Sequence, residues 1–292
     1  MSGVTPAIVN MPTATELQET TDGWLMLAWE QVIETALEWG ETTDYIAEGE
    51  FRPKAGFRKR FWNARRHLLN NSLLLCQQAM ELDLKARIAA VDPLELVVGK
   101  AASKLRQFGG NFLDAPTIGA RDLPAAVERI RNTKLDGAYI SLFEKLRVER
   151  NRIAHLHGGN FPAHVRQRLD DVLSVFAAIH PGERWQAFCK VNMTASGKAG
   201  PLADYDYDWT HSRWLREFEA AVNVLDAASA QRHFGFDKRK SVLFCPVCWS
   251  ERAKHDSEER NYAQRQSDGT IACAACLAIY PSKVAYDAER GE

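Results

Sequence analysis

Arg150, Asn151 and His155 put an always-cationic guanidinium, an amide and a titratable imidazole within one short stretch, Arg150-Asn151-Arg152-Ile153-Ala154-His155. A guanidinium neutralises charge that builds on a phosphorane, and an imidazole moves a proton near neutral pH. The set therefore suits phosphoryl chemistry that needs no metal. An Arg-x4-His match carries little information alone, because Arg152 and His157 form a second, overlapping one. Five residues advance a helix by about 500 degrees, which leaves Arg150 and His155 roughly 140 degrees apart, while Asn151 and His155 share a face. The imidazole at a helix C-terminus is favoured in its charged form.

Two further groups of residues carry chemistry. Cys245 and Cys248 form one C-x2-C pair, Cys273 and Cys276 a second, and 24 residues separate the pairs. Two such knuckles close a four-sulfur site around one tetrahedral Zn(2+), with no coordination position left open, so one structural zinc per chain is expected and none for catalysis. His255 lies outside either knuckle and is left out of the ligand set. Cys76 and Cys189 stand alone and read as inert core thiols. The other group runs from Arg52 to Arg66: Arg52, Lys54, Arg58, Lys59, Arg60, Arg65 and Arg66 are seven cations without a carboxylate, interleaved with Phe57, Phe61 and Trp62 and preceded by Phe51. Such a segment suits a phosphate backbone whose bases stack on rings. The competing reading is a solvated cationic face above core aromatics.

The elements that must position these groups are helical. Trp24 to Trp39 has helical periodicity, with Glu30, Glu34 and Glu38 along another face. Residues 1–50 hold ten acidic side chains and no Lys or Arg. That acidic row fits either beside the cationic segment or against solvent. A long helix from about Phe61 to Val91 buries Leu69, Leu73, Cys76, Met80 and Leu84. An excursion from Leu94 to Pro124 precedes a short helix, Ala125 to Asn132. The helix that carries the Arg/His residues starts near Asp136 and has Tyr139, Phe143, Leu146, Arg150 and Ile153 on one face, so Arg150 should be partly shielded. Gly158-Gly159-Asn160 and Pro162 stop it after His157. Val165 to His180 is another amphipathic helix, Pro181 to Asp208 is irregular by pattern, and a last helix spans about Ser212 to His233.

The helix around Met80-Glu81-Leu82-Asp83-Leu84-Lys85-Ala86, followed after the excursion by Leu146 to His155, resembles the HEPN family of helical-bundle proteins, many of which are ribonucleases. The family signature is Arg, a polar residue, a short variable spacer and His. Asn151 fills the polar slot, Ile153 spoils the register of the second match, and His157 stays in reserve for His155. The resemblance covers roughly Thr21 to His180 and does not extend to the cysteine module, which itself resembles zinc ribbons. It implies a homodimer with a composite cleft between two motif helices, and RNA cleavage by the substrate's own 2′-hydroxyl. It further implies tRNA or mRNA as substrate, a toxin-antitoxin or antiviral defence role, and an antitoxin or regulatory protein as partner.

The expected fold is thus mainly α: an HEPN-like helical bundle with a small C-terminal β-rich zinc ribbon. The expected organisation is a flexible tail over 1–21, the bundle over 22–182, a helical extension or linker over 183–236, the ribbon over 237–283 and a tail over 284–292. Hydrophobic residues make up 46% and charged residues 26% of the 292 positions, which permits a substantial core. No stretch approaches the roughly 18 apolar residues of a membrane span, and no cationic and apolar leader opens the chain, so a cytoplasmic location without membrane partners is expected. Two rival functions use the same residues: a non-catalytic RNA- or nucleotide-binding module, and a protein-interaction adaptor that docks through its ribbon and acidic helix.

Overall fold

The computed structural model describes residues 7–155, 164–195, 207–248 and 261–281. The helices are α1 (Ala14–Ala47), α2 (Phe57–Ala89), α3 (Lys100–Phe108), α4 (Leu123–Arg131), α5 (Gly137–His155), α6 (Val165–Ile179), α7 (Trp185–Ala195), α8 (Tyr207–Val224) and α9 (Ala227–Phe234). The strands are β1 (Ile8–Val9), β2 (Gly110–Asn111), β3 (Ala263–Arg265), β4 (Ile271–Cys273) and β5 (Ile279–Tyr280). The protein is mainly helical with a small C-terminal sheet and a cysteine cluster, the class expected from its sequence.

Two compact units share the chain, Met1–Ala28 with Leu73–Phe161 and Trp29–Ser72 with Pro162–Glu292, so α1 and α2 each contribute to both. In the first unit, β1 and β2 pair in parallel, Ile8 opposite Gly110 and Val9 opposite Asn111. The start of α1 is fixed by a reciprocal cap. The Thr13 backbone N–H donates to Glu16 Oε2 at 2.8 Å, and the Glu16 N–H donates to Thr13 Oγ1 at 3.1 Å. This capping box starts the helix ten residues ahead of the periodic stretch at Trp24.

The helix pair that matters for the Arg/His residues is α2 with α5. Met80 and Leu84 of α2 and Phe143 and Leu146 of α5 are wholly buried. Between them, the Tyr139 hydroxyl donates to Asp83 Oδ2 at 2.7 Å, Arg87 pairs with the same carboxylate at 2.9 Å, and the Arg87 guanidinium sits 5.0 Å from the Tyr139 ring centroid. Burial and the neighbouring Asp83 carboxylate push the Tyr139 hydroxyl far above its ordinary pKa. Glu81 accepts a hydrogen bond from Gln77 and, among the described residues, makes no ion pair with Lys85.

The second unit is organised around tryptophans. Trp29 of α1 lies 5.0 Å from Trp185 of α7 and 6.3 Å from Trp214 of α8, measured between ring centroids. All three are almost completely buried. Trp29 Nε1 donates to the buried Glu217 carboxylate at 2.7 Å, and Arg213 Nε reaches its other oxygen at 2.8 Å. Burial raises the Glu217 pKa, while these two donors oppose the rise.

Helix α7 occupies part of the segment that reads as irregular in sequence. Trp185, Phe188, Cys189 and Met193 are buried at helical spacing within it. With 11 residues it is at the short limit for recognition by periodicity. The last expected helix is two helices. Asp226 ends the first and caps α9, its carboxylate accepting the Ser229 N–H at 2.8 Å, and Gly235 closes α9 in the left-handed region at φ 70°. Helix α9 is tied to α6 by Asp170, which accepts from His233 Nε2 at 3.0 Å and from Arg232.

Removing the Tyr139 hydroxyl with Tyr139→Phe should lower stability by about 1–3 kcal/mol, because the buried Asp83 carboxylate loses a hydrogen-bond donor. A shift of the urea midpoint at unchanged slope is the expected result. Asp170 supplies a pH test. The His233 hydrogen bond is the largest of several effects that hold its carboxyl well below the usual range. A depressed native pKa gives stability that is complete above the unfolded value of about 4 and is lost as pH falls below it. Asp170→Asn should therefore flatten part of the fall in melting temperature seen on acidification from about pH 5 to about pH 3.

Candidate metal centre and helix-end site

The cysteine module is built from one helical turn and three short strands. Strands β3, β4 and β5 form an antiparallel sheet in that order, with Ala263 opposite Cys273 and Ile271 opposite Tyr280. Leu243, ahead of the first knuckle, bridges to Ala263, and residues 246–248 turn helically so that Cys245 and Cys248 face one point. After the second knuckle Leu277 takes φ 66°, and its N–H donates to the Cys273 carbonyl at 3.0 Å, closing the turn that holds Cys273 and Cys276.

All four Sγ atoms lie within 4.8 Å of one another, and three of the cysteines are buried. Cys245 Sγ stands 3.5 Å from Cys276 Sγ, and Cys248 Sγ 3.7 Å from Cys273 Sγ. Metal–sulfur bonds of about 2.3 Å in a tetrahedron place sulfurs about 3.8 Å apart, so the four thiols could hold one metal ion of that size. The proximity of the sulfurs supports the same reading. Four sulfurs this close cannot all ionise without a cation between them.

Three residues of this centre escaped the sequence reading. The Tyr280 hydroxyl lies 3.3 Å from Cys245 Sγ and accepts from the Val247 N–H at 3.4 Å. Gln186 Nε2 of α7 donates to the Ala274 carbonyl at 2.9 Å, and Trp214 Nε1 of α8 donates to the Ala275 carbonyl at 2.9 Å. Ala274 and Ala275 are the two residues between Cys273 and Cys276, so the second knuckle is hydrogen-bonded directly into the helical core. Only Tyr280, four residues past Cys276, left a trace in the sequence. Phe218 of α8 extends the contact, 4.9 Å from the Tyr262 ring beside β3.

At the end of α5, Arg150 and Asn151 are half-buried, as the apolar stripe below them requires, and Arg150 Nη1 donates to Asn151 Oδ1 at 3.2 Å. Arg147, one turn back, pairs with Glu144 at 2.8 Å. Arg150 makes no ion pair with a carboxylate among the described residues. The backbone of α5 continues to His155, while the His155 side chain and all of His157 lie outside the described residues.

The cationic segment spans the connection after α1 and the start of α2. Arg52, Lys54, Arg58, Lys59 and Arg60 are exposed, whereas Arg65 and Arg66 are half-buried. Arg65 forms an ion pair with Glu38 of α1 and lies 5.4 Å from the Phe61 ring centroid. Phe57, Phe61 and Trp62 are half-buried and gather around Trp39, with Phe61 and Trp62 at 4.9 and 5.1 Å from it. Both sequence readings of the segment thus describe part of it: rings packed below, most cations in solvent above. Among the described residues, no helix is long and apolar enough to cross a membrane.

Replacing Trp214 by Phe preserves ring packing and removes the donor to Ala275. The expected cost is about 1–3 kcal/mol, with faster loss of bound metal to a chelator. Metal content should fall from one ion per chain to none in Cys273→Ser, measured by atomic emission.

No family model, curated protein or solved structure matches this chain.

Proposed function

We propose that the protein is an endoribonuclease that cleaves RNA with its own side chains, and that its cysteine centre carries a structural zinc ion. The observation that supports cleavage most is the state of Arg150. A half-buried guanidinium costs stability unless something compensates it, and a core carboxylate would be the ordinary compensation. Arg150 instead has the Asn151 amide oxygen, a neutral acceptor, at the helix end that leads to His155. A cation held this way is available to an anionic substrate.

The chemistry follows from the residue types. The 2′-oxygen of RNA attacks the adjacent phosphorus, His155 takes the 2′-hydroxyl proton, Arg150 neutralises the phosphorane, and the 5′-oxygen leaves with a proton from a second acid. The products are a 2′,3′-cyclic phosphate and a 5′-hydroxyl. Asn151 orients Arg150 or a phosphate oxygen, and His157 is the reserve for His155. Because Arg150 and His155 diverge on one helix, the second acid comes from a partner copy, which makes a homodimer part of the proposal. Resemblance to HEPN proteins rests on this motif and its helical setting, and it carries the further suggestion of a defence role with a regulatory protein partner in the cytoplasm. Zinc is favoured at the centre because four thiolates in a closed tetrahedron suit its size and softness.

One observation favours a second reading, an RNA-binding protein that does not cut: the five exposed cations at Arg52, Lys54, Arg58, Lys59 and Arg60.

A gel assay separates the two. End-labelled tRNA and mRNA incubated in EDTA with wild-type protein should yield fragments that end in 2′,3′-cyclic phosphate. His155→Ala should cut at least about 100-fold more slowly. RNA that is shifted equally by both proteins and cut by neither would establish the binding reading instead.

A further inference from the structure

Arg52, Lys54, Arg58, Lys59 and Arg60 are exposed and, among the described residues, none of them forms an ion pair. Three of the five occupy the first turn of α2, which contains no acidic residue. Cations at a helix start oppose the helix dipole, so their placement there works against the stability of α2 and calls for another reason. Beneath and beside them lies a run of rings. Phe51 is 39% exposed and meets Phe57 edge-on at 5.2 Å; Phe57 is 6.4 Å from Phe61, and Phe61 is 5.1 Å from Trp62. The Arg58 guanidinium stands 5.8 Å from the Trp39 ring centroid.

From this surface we infer a docking site for single-stranded nucleic acid, with phosphates on Arg52, Lys54 and Lys59 and a base on the exposed Phe51 ring, while Arg60 is held to the Ala55 carbonyl at 2.8 Å. Charge complementarity selects a polyanion. Among polyanions, the exposed Phe51 ring selects one whose bases are unstacked, because a duplex offers phosphates but hides its bases. Arg65 takes no part as a phosphate ligand. Committed to Glu38 and Phe61, it positions the ring run against α1. The exposed carboxylates of Asp44, Glu48 and Glu50 lie just before the site in the chain and bound it on that side. The inference rests on the RNA-binding reading and deepens it by naming the strand form that is bound; it uses none of the cleavage residues.

The test uses the full-length protein carrying His155→Ala, so that cleavage cannot consume the probe. Fluorescein-labelled 15-nucleotide single-stranded RNA is titrated at several salt concentrations beside the same sequence as a duplex, and vesicles containing phosphatidylserine are titrated in parallel. Expected are tighter binding of the single strand than the duplex, and a fall of about 2 in the magnitude of its log–log salt slope in Arg52→Gln/Lys54→Gln/Lys59→Gln. Phe51→Leu, which keeps an apolar side chain, should weaken single-strand binding about fivefold or more and leave duplex binding unchanged. Glu48→Gln/Glu50→Gln should tighten it. Circular dichroism of each variant establishes that the fold persists. An unchanged salt slope in the triple variant would place binding elsewhere and overturn the inference. Equal affinity for duplex, or binding to vesicles without binding to RNA, would overturn it in favour of a general polyanion or membrane surface. Loss of cleavage in the wild type with this binding pattern intact would reject the nuclease reading alone.

Discussion

The two carbonyls of the Cys273–Cys276 knuckle, held by Gln186 and Trp214, are the contact on which the second unit depends. A backbone carbonyl buried without a donor costs on the order of 1–3 kcal/mol, so both helices must present their donors for the knuckle to close. The same Trp214 ring packs near Trp29, and Trp29 donates to Glu217, which Arg213 neutralises. One continuous set of contacts therefore runs from the sulfur cluster to a buried carboxylate in the helical core. Metal binding contributes on the order of 10 kcal/mol to the folding of small cysteine modules. With a metal bound in this arrangement, part of that free energy would be available to the helices themselves.

Charge is distributed with the same economy. The acidic row of α1 is neither wholly solvated nor wholly opposed to the cationic segment. Glu38 takes Arg65, Glu41 takes Arg216 of α8, and Glu30 and Glu34 act on Arg213. The row thus serves two helices of the second unit, α2 and α8. What it leaves unmatched is the exposed start of α2. In the first unit, Asp83, Arg87 and Tyr139 join α2 to α5 with one shared carboxylate, and this fixes the helix from which Arg150 projects.

How much of this was legible in the sequence depended on the range of the signal. The knuckles were legible because C-x2-C is a local pattern with one common geometry. The buried stripe Leu69, Leu73, Cys76, Met80 and Leu84 was legible because helical period and burial coincide, and all five are wholly buried. The start of α1 was missed although Thr13 and Glu16 spell a capping box, because its first turns carry few apolar residues. Helix α7 was missed because 11 residues with flanking loop signals give periodicity too little length. Gln186 and Trp214 could not have been found at all: their partners are backbone carbonyls 88 and 61 residues away, and a carbonyl has no letter in the sequence. For the Arg/His residues, sequence supplied the motif and the expectation of a shielded Arg150, and the structure adds the Asn151 contact and the absence of a carboxylate partner among the described residues.

The coupling between sulfur cluster and helical core is tested most directly by heating the metal-loaded protein with a chromogenic chelator present, following metal release and helical circular dichroism together. Release should coincide with a helical transition, because the knuckle cannot open without stripping donors from Ala274 and Ala275. Full release of metal at a temperature where the helical signal and tryptophan emission are unchanged would contradict the account, and would make the cysteine centre a separate appendage.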